Sequence, residues 1–222
     1  MTTPLRLVFL GAPGSGKGTQ ARILEERFGV RQISTGDILR RHRAEKTSLG
    51  MEAQEFMDRG ELVPDDLIIK MMEEELPREG GFILDGFPRT VAQAEALDAL
   101  LARLRLPLGG VIYFDAPRSE LFARLAGRWT NPRTGRVYHE RYSPPRVAGV
   151  DDEDGGPLVQ RADDTPETVE HRLDVFDRET APLVAYFERR GELVRVDALR
   201  SVEDVTKEIL EGLEGRDGAV VA

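Results

Sequence analysis

An α/β fold built around a parallel sheet is what this sequence predicts, on three observations. Short, almost continuous apolar runs, the mark of strands buried on both faces, occur at Leu5 to Leu10, Gly81 to Leu84 and Gly110 to Phe114. Between the second and third, Leu97, Leu100, Leu101 and Leu104 repeat at helical spacing and supply the crossover that parallel strands need. The first run leads through a glycine-rich turn into a second helical pattern.

Taken in order, the strand at Leu5 to Leu10 ends at Gly11. A helix follows over Gly16 to Phe28, with Ala21, Leu24 and Phe28 on one face and Gly29 at the stop position. Residues 34–63 read as short helices, around Ile38 with Leu39 and Phe56 with Met57, inserted between core elements. The next two strands end at Asp85 and Asp115, and carboxylates at strand ends stand where open α/β sheets place their sites. Residues 127–164 are rich in Gly, Pro, Asp and Arg and lack a helical stripe, so they form a small β excursion or a lid. Thr165 as cap and Pro166 in the first turn start a helix whose stripe is Val169, Leu173, Phe176 and Val184. A last short strand is Leu193 to Val196, and the tail after Gly212 is expected to fray.

Composition narrows the classes of function. The 222 residues, 40% hydrophobic, make one large domain or one core with insertions. A net charge of −9 argues against a broad nucleic-acid or anionic-membrane surface and leaves a locally basic cleft open. Zero cysteine removes disulfides, thiolate metal sites and cysteine nucleophiles together, so the chemistry falls to oxygen and nitrogen groups. The longest uncharged apolar run, Leu106 to Phe114, is far short of the roughly 20 residues that span a bilayer. Leu7 to Leu10 is too short a stretch before Lys17 to serve as a secretory leader, which points to the cytoplasm, and no heptad or apolar stripe points beyond a monomer. Basic residues are lopsided, 27 arginines against four lysines; codon bias and a preference for bidentate phosphate contacts both account for this.

The sharpest motif is Gly11-Ala-Pro-Gly-Ser-Gly-Lys17-Gly-Thr19, which follows a strand and opens a helix as a phosphate-binding loop must. Its glycines let backbone amides converge on phosphate oxygens, the helix N-terminus adds partial positive charge, and Lys17 reaches the terminal phosphates. Gly18 stands where the general motif has a magnesium-binding Ser or Thr, and Thr19 comes one later, so magnesium is held differently from a switch GTPase.

Further segments occur in a fixed order: Ile33 to Arg40 (Ile-Ser-Thr-Gly-Asp-Ile-Leu-Arg), Leu84 to Arg89 (Leu-Asp-Gly-Phe-Pro-Arg) with Gln93, Gly135 to Tyr138, and Gln160 to Asp164. With the phosphate loop at 11–20 they resemble the adenylate kinases of the long-lid type, over nearly the whole chain. The resemblance implies a three-layer P-loop core with a five-stranded parallel sheet at residues 1–33, 64–126 and 165–222. It also implies a helical NMP-binding insertion at 34–63 and a small β lid at 127–164. The activity implied is magnesium-dependent phosphoryl transfer, ATP + AMP to 2 ADP.

By the same resemblance, Gly14, Ser15, Gly16, Lys17, Gly18 and Thr19 hold the ATP phosphates. Arg124 lies against the ATP base, Arg128 meets its phosphates, Val137 and Tyr138 approach the base, and Arg200 offers its backbone there. AMP falls to Thr35, Arg40, the backbone of Glu61, Leu62 and Val63, and to Gly86, Phe87, Pro88, Arg89 and Gln93. Arg161 and Arg172 close over the transferring phosphoryl group, completing a catalytic set of Lys17, Arg40, Arg89, Arg128, Arg161 and Arg172. Asp37 and Asp85 hold magnesium through waters, since that ion dehydrates reluctantly. Plainer readings stand beside these: helix capping for Thr35, a capping box with Thr90 for Gln93, an i,i+4 pair with Glu120 for Arg124, and a surface ion-pair network with Asp163 and Asp164 for Arg161 and Arg172.

Some long-lid relatives bind a structural zinc through four lid cysteines. The corresponding places here are Asn131, Thr134, Asp151 and Asp154, a hard-oxygen set unsuited to structural zinc, so no zinc is expected and hydrogen bonds tie the lid instead. His42, His139 and His171 have no metal spacing and read as surface or packing residues. Two rivals remain. Gly127-Arg-Trp129, Pro157 to Arg161 and Asp163 to Thr168 also resemble GTP:AMP phosphotransferases, and a non-catalytic phosphate-loop module has the loop but no need of the arginines. Uridylate and cytidylate kinases resemble the core but have a much shorter lid.

Overall fold

The computed structural model describes residues 4–214, all but the side chain of Ala162. Five parallel strands, β1 (Arg6–Leu10), β2 (Arg31–Ser34), β3 (Phe82–Asp85), β4 (Gly110–Asp115) and β7 (Leu193–Asp197), form one sheet in the order β2-β3-β1-β4-β7. Side chains alternate along each strand, so Val8 and Leu10 enter one apolar layer while Leu7 and Phe9 enter the other. The first layer packs α4 (Asp65–Glu75), α5 (Val91–Leu104) and α8 (Pro182–Arg189) on the sheet; the second packs α1 (Lys17–Phe28) and α9 (Val202–Leu213). This is the three-layer α/β core that the sequence implied.

Residues between β2 and α4 form two helices, α2 (Thr35–Ala44) and α3 (Ser48–Arg59). They cross closely at Gly50, where a Cβ would stand 2.2 Å from the carbonyl carbon of His42, so only glycine fits. After α6 (Arg118–Ala126) the chain makes an antiparallel pair, β5 (Arg128–Thr130) with β6 (Val137–His139), extended by single bridges such as Thr130 with Val159. The small β excursion expected for this stretch is what forms. A turn at Ala162–Asp164 then leads into α7 (Pro166–Val175), capped by the Thr165 hydroxyl.

Four details depart from the sequence reading. Strand β2 gives little apolar signal because it is an edge strand with only Ile33 buried. The stripe from Val169 to Val184 is not one helix: a π-helical turn at Phe176–Thr180 and Pro182 divide it. Val169, Leu173 and Phe176 pack with α6, whereas Val184 packs on the sheet. Asp115 lies at a strand end yet faces Arg195 of β7 at 2.9 Å, away from any site. Leu213 is fully buried, and the expected fraying beyond it concerns residues that, from 215 on, lie outside those described. No helix among the described residues is long and apolar enough to cross a membrane.

Candidate phosphoryl-transfer site

A cavity of about 1190 Å³ opens at the carboxyl ends of the strands, bounded by the phosphate loop, the α2–α3 insertion and the β5–β6 segment. Every residue expected at the nucleotide sites lines it except Phe87, whose ring is 1% exposed and belongs to the sheet core. Trp129 is also absent from its lining, while its strand neighbour Arg128 is present, as alternation on β5 requires.

The phosphate loop is shaped by Gly14 and Gly16, both at positive φ, and a Cβ at Gly14 would stand 2.9 Å from the Leu121 carbonyl. Lys17 opens α1, and its Nζ donates to the carbonyls of Gly11 and Ala12 at 2.7 and 2.8 Å and to Ser15 Oγ at 3.2 Å. Burial pulls its pKa down to about 8; Asp85 opposes that, and Arg89, Arg172 and Arg128 add to it. Asp85 closes β3, accepts from Gln32 Nε2 at 3.2 Å, and would stand 3.6 Å from a Cβ at Gly18. Burial raises the Asp85 pKa, against the pull of Lys17.

On the insertion side, Ser34, not Thr35, caps α2, accepting from the Asp37 amide at 3.3 Å. Capping therefore does not explain Thr35, which is buried and donates its hydroxyl to Gly86 O at 2.9 Å. Arg89 Nε donates to the same carbonyl at 2.8 Å, so β2's exit and the loop after β3 share one acceptor. Burial lowers the Arg89 pKa to about 10. Arg40 pairs with Asp37 at 2.5 Å; desolvation raises the Asp37 pKa, but Arg40, Arg161 and the Ser34 hydrogen bond together outweigh it and the net shift is downward.

Gln93 is tied more fully than a capping box demands. Its backbone N–H does meet Thr90 Oγ1 at 3.2 Å, but Oε1 accepts from the Arg89 amide at 2.8 Å and Nε2 donates to Asp65 Oδ1 at 2.7 Å. Asp65, which also accepts from Thr90 Oγ1 at 2.8 Å, was not singled out in the sequence. Its position beside Pro64 at a helix start reads as an ordinary first-turn acid.

Arg128 and Arg172 meet at Asp164, whose side chain is 0% exposed. Arg128 grips it with Nε at 2.8 Å and Nη2 at 2.5 Å, and Arg172 reaches it at 3.1 Å while pairing with Asp163 Oδ2 at 2.9 Å. The ion-pair network foreseen for Asp163 and Asp164 is present for Arg172, but it is buried, not superficial. Burial lowers the Arg161 pKa to about 10, with Arg40 and Arg128 adding like charge, and its Nε is buried without a hydrogen-bond partner. Arg124 pairs with Glu120 at 3.3 Å, as the plain reading has it, and also donates to Ala198 O at 2.9 Å. The Arg200 side chain turns to Asp204 and Glu208. Glu61 pairs with Arg59 at 2.9 Å.

In the β5–β6 segment, Asn131 Nδ2 donates to both Asp154 oxygens at 2.8 and 2.9 Å, Asp151 Oδ1 accepts from the amides of Glu153 and Asp154, and Thr134 Oγ1 accepts from the Arg136 amide. The four residues in question are thus joined by hydrogen bonds to one another or to adjacent backbone.

A phosphate loop at the head of a parallel sheet, facing a cavity lined by Lys17, by a ring of arginines and by carboxylates that include Asp37 and Asp85, defines a nucleoside monophosphate kinase, a phosphotransferase. The family model for adenylate kinase matches residues 9–192. Curated proteins named adenylate kinase include one from Chloroherpeton thalassium, 49% identical over 93% of this chain and 97% of its own. Others come from Carboxydothermus hydrogenoformans, 47% identical over 95% and 100%, and Archaeoglobus fulgidus, 47% identical over 95% and 98%. The chain belongs to the adenylate kinase family.

Proposed function

We propose that this protein transfers the terminal phosphoryl group of ATP to AMP, giving two ADP, with magnesium, as a monomer in the cytoplasm. The observation that carries the reading is the convergence of Lys17, Arg40, Arg89, Arg128, Arg161 and Arg172 on one cavity. A loose phosphoryl-transfer transition state spreads charge over equatorial oxygens, so positioning and electrostatics dominate; the AMP phosphate is already an anionic nucleophile and needs no general base.

Lys17 and the loop amides hold the donor's β- and γ-phosphates. Arg40 and Arg89 orient the AMP phosphate, with Thr35 and Gln93 at its nucleoside. Arg128, Arg161 and Arg172 neutralise charge on the group in flight, and their forks suit phosphate geometry. Asp85 and Asp37 would hold magnesium through water. The half-buried, hard-oxygen Asp85, lining the cavity beside the side-chain-free Gly18, fits that ion, which would supply charge neutralisation across the donor phosphates. Residues 34–63 form the AMP-binding unit and 127–164 the cover over the donor, which excludes water as a competing acceptor. ATP is taken as the donor over GTP: within the Gly127-Arg-Trp129 segment that shares in the GTP alternative, Trp129 does not line the cavity.

The test is chromatographic detection of ADP and GDP formed from AMP with ATP or GTP and magnesium, with UMP and CMP as control acceptors. Strong turnover of ATP plus AMP to two ADP is expected. Preference for GTP would move the assignment to a GTP:AMP phosphotransferase, and binding without transfer would leave a nucleotide-binding module.

A further inference from the structure

The last residue of the glycine-rich motif, Gln20, has no part in the chemistry above, yet it is 3% exposed and both polar atoms of its side chain are hydrogen-bonded. Its Nε2 donates to Val202 O at 2.8 Å, and its Oε1 accepts from Thr206 Oγ1 at 2.7 Å. A carbonyl only accepts, so the amide nitrogen must face Val202; the amide oxygen is then left for a donor, and the Thr206 hydroxyl, which also stands 2.8 Å from Val202 O and shares its one hydrogen between the two, supplies it. One side chain on the phosphate-loop helix thereby fixes the first turn of α9, 182 residues later.

That turn is the end of a loop lining the cavity. Ala198, Leu199, Arg200, Ser201 and Val202 border it, and Leu199 and Val202 are 49% and 44% exposed. Arg124 holds the loop's other end through Ala198 O at 2.9 Å, while Leu199 N–H meets Asp197 Oδ1 at 2.9 Å. The loop is therefore suspended between Arg124 on one side and Gln20 on the other.

We propose that Gln20 is a positioning residue that sets the donor-base loop 198–202 in register with the phosphate loop, so that base and phosphates of one donor are gripped together. The inference rests on the reading of this cavity as the donor site. Gln20 borders the cavity, but both polar atoms of its side chain are turned to Val202 and Thr206, so it acts through the α9 N-terminus. Its loss leaves the phosphate contacts in place and frees the shelf that the base rests on.

The experiment is titration calorimetry of the full chain and its Gln20→Leu variant with ATP, inorganic tripolyphosphate and AMP, one ligand at a time. Loss of a satisfied buried hydrogen-bond pair is expected to weaken ATP by about tenfold, with tripolyphosphate and AMP unchanged within about twofold. Thr206→Val, which keeps the volume and removes the hydroxyl from both Gln20 Oε1 and Val202 O, should move ATP affinity in the same direction, and Gln20→Met, which removes only the Gln20 amide, takes the place of Gln20→Leu if that variant does not fold. Equal weakening of ATP and tripolyphosphate, or an unchanged ATP affinity in either folded variant, would overturn the assignment. Were the wild-type chain to bind ATP no better than tripolyphosphate, the donor-base reading itself would fall, and Gln20 with it.

Discussion

Asp164 offers the sharpest test of how this site is held together. Replacing it with Ala removes a carboxylate of 0% side-chain exposure that engages three guanidinium nitrogens, two from Arg128 and one from Arg172. The two arginines left behind are themselves only 14% and 16% exposed, so water replaces the lost partner poorly, and their mutual repulsion is no longer offset. Removing one member of a buried charge pair costs about 3–5 kcal/mol. For a chain of this length each kcal/mol lowers Tm by roughly 2–4 °C, so a fall of about 6–20 °C is expected in a thermal melt. Added sulfate should restore part of it, because a doubly charged anion fills the place between the guanidinium groups. Asp164→Asn, which keeps one carbonyl acceptor, should fall between the variant and wild type. A melt of Asp164→Ala within about 2 °C of wild type would refute the claim that this carboxylate holds Arg128 and Arg172 together.

Three further outcomes follow from the geometry. Lys17 has a folded-state pKa near 8, below its ordinary 10.5, so raising pH through 8 discharges it in the free enzyme. kcat/KM for the donor should decline above that pH while kcat, measured with phosphate bound beside the ammonium, holds to higher pH; a flat kcat/KM from pH 7 to 10 would contradict this. The sign for stability is the reverse: between about 8 and 10.5 the unfolded chain binds the extra proton, so this group's contribution grows with pH. Gly50→Ala drives a Cβ to 2.2 Å from backbone of α2 and should destabilise the insertion by about 1–3 kcal/mol, read as faster amide exchange confined to residues 35–59. Metal analysis should find well under one zinc per chain, and EDTA should leave the melting temperature unchanged, because Asn131, Thr134, Asp151 and Asp154 are engaged in hydrogen bonds.

What could be read in advance, and what could not, divides by how local the physics is. The phosphate loop was legible because its glycines, its lysine and the flanking strand and helix lie within two dozen residues, and each is demanded by the same ligand. Strand β2 escaped because an edge strand with one buried residue leaves no run of apolar side chains to see. Ser34 displaced Thr35 as the cap because both side chains can cap, and only the position of the first helical turn decides between them. Gln20 and Asp65 act through partners 182 and 28 residues away, and such pairings have no signature in the local pattern. Asp85 and Asp115 sharpen the point, since both end apolar strands and carry the same local signal. β1 separates their strands in the sheet: β3 delivers Asp85 beside Lys17, whereas β4 sets Asp115 next to Arg195 on β7. Strand order, which no single strand encodes, placed one in the lining of the cavity and made the other half of a surface ion pair.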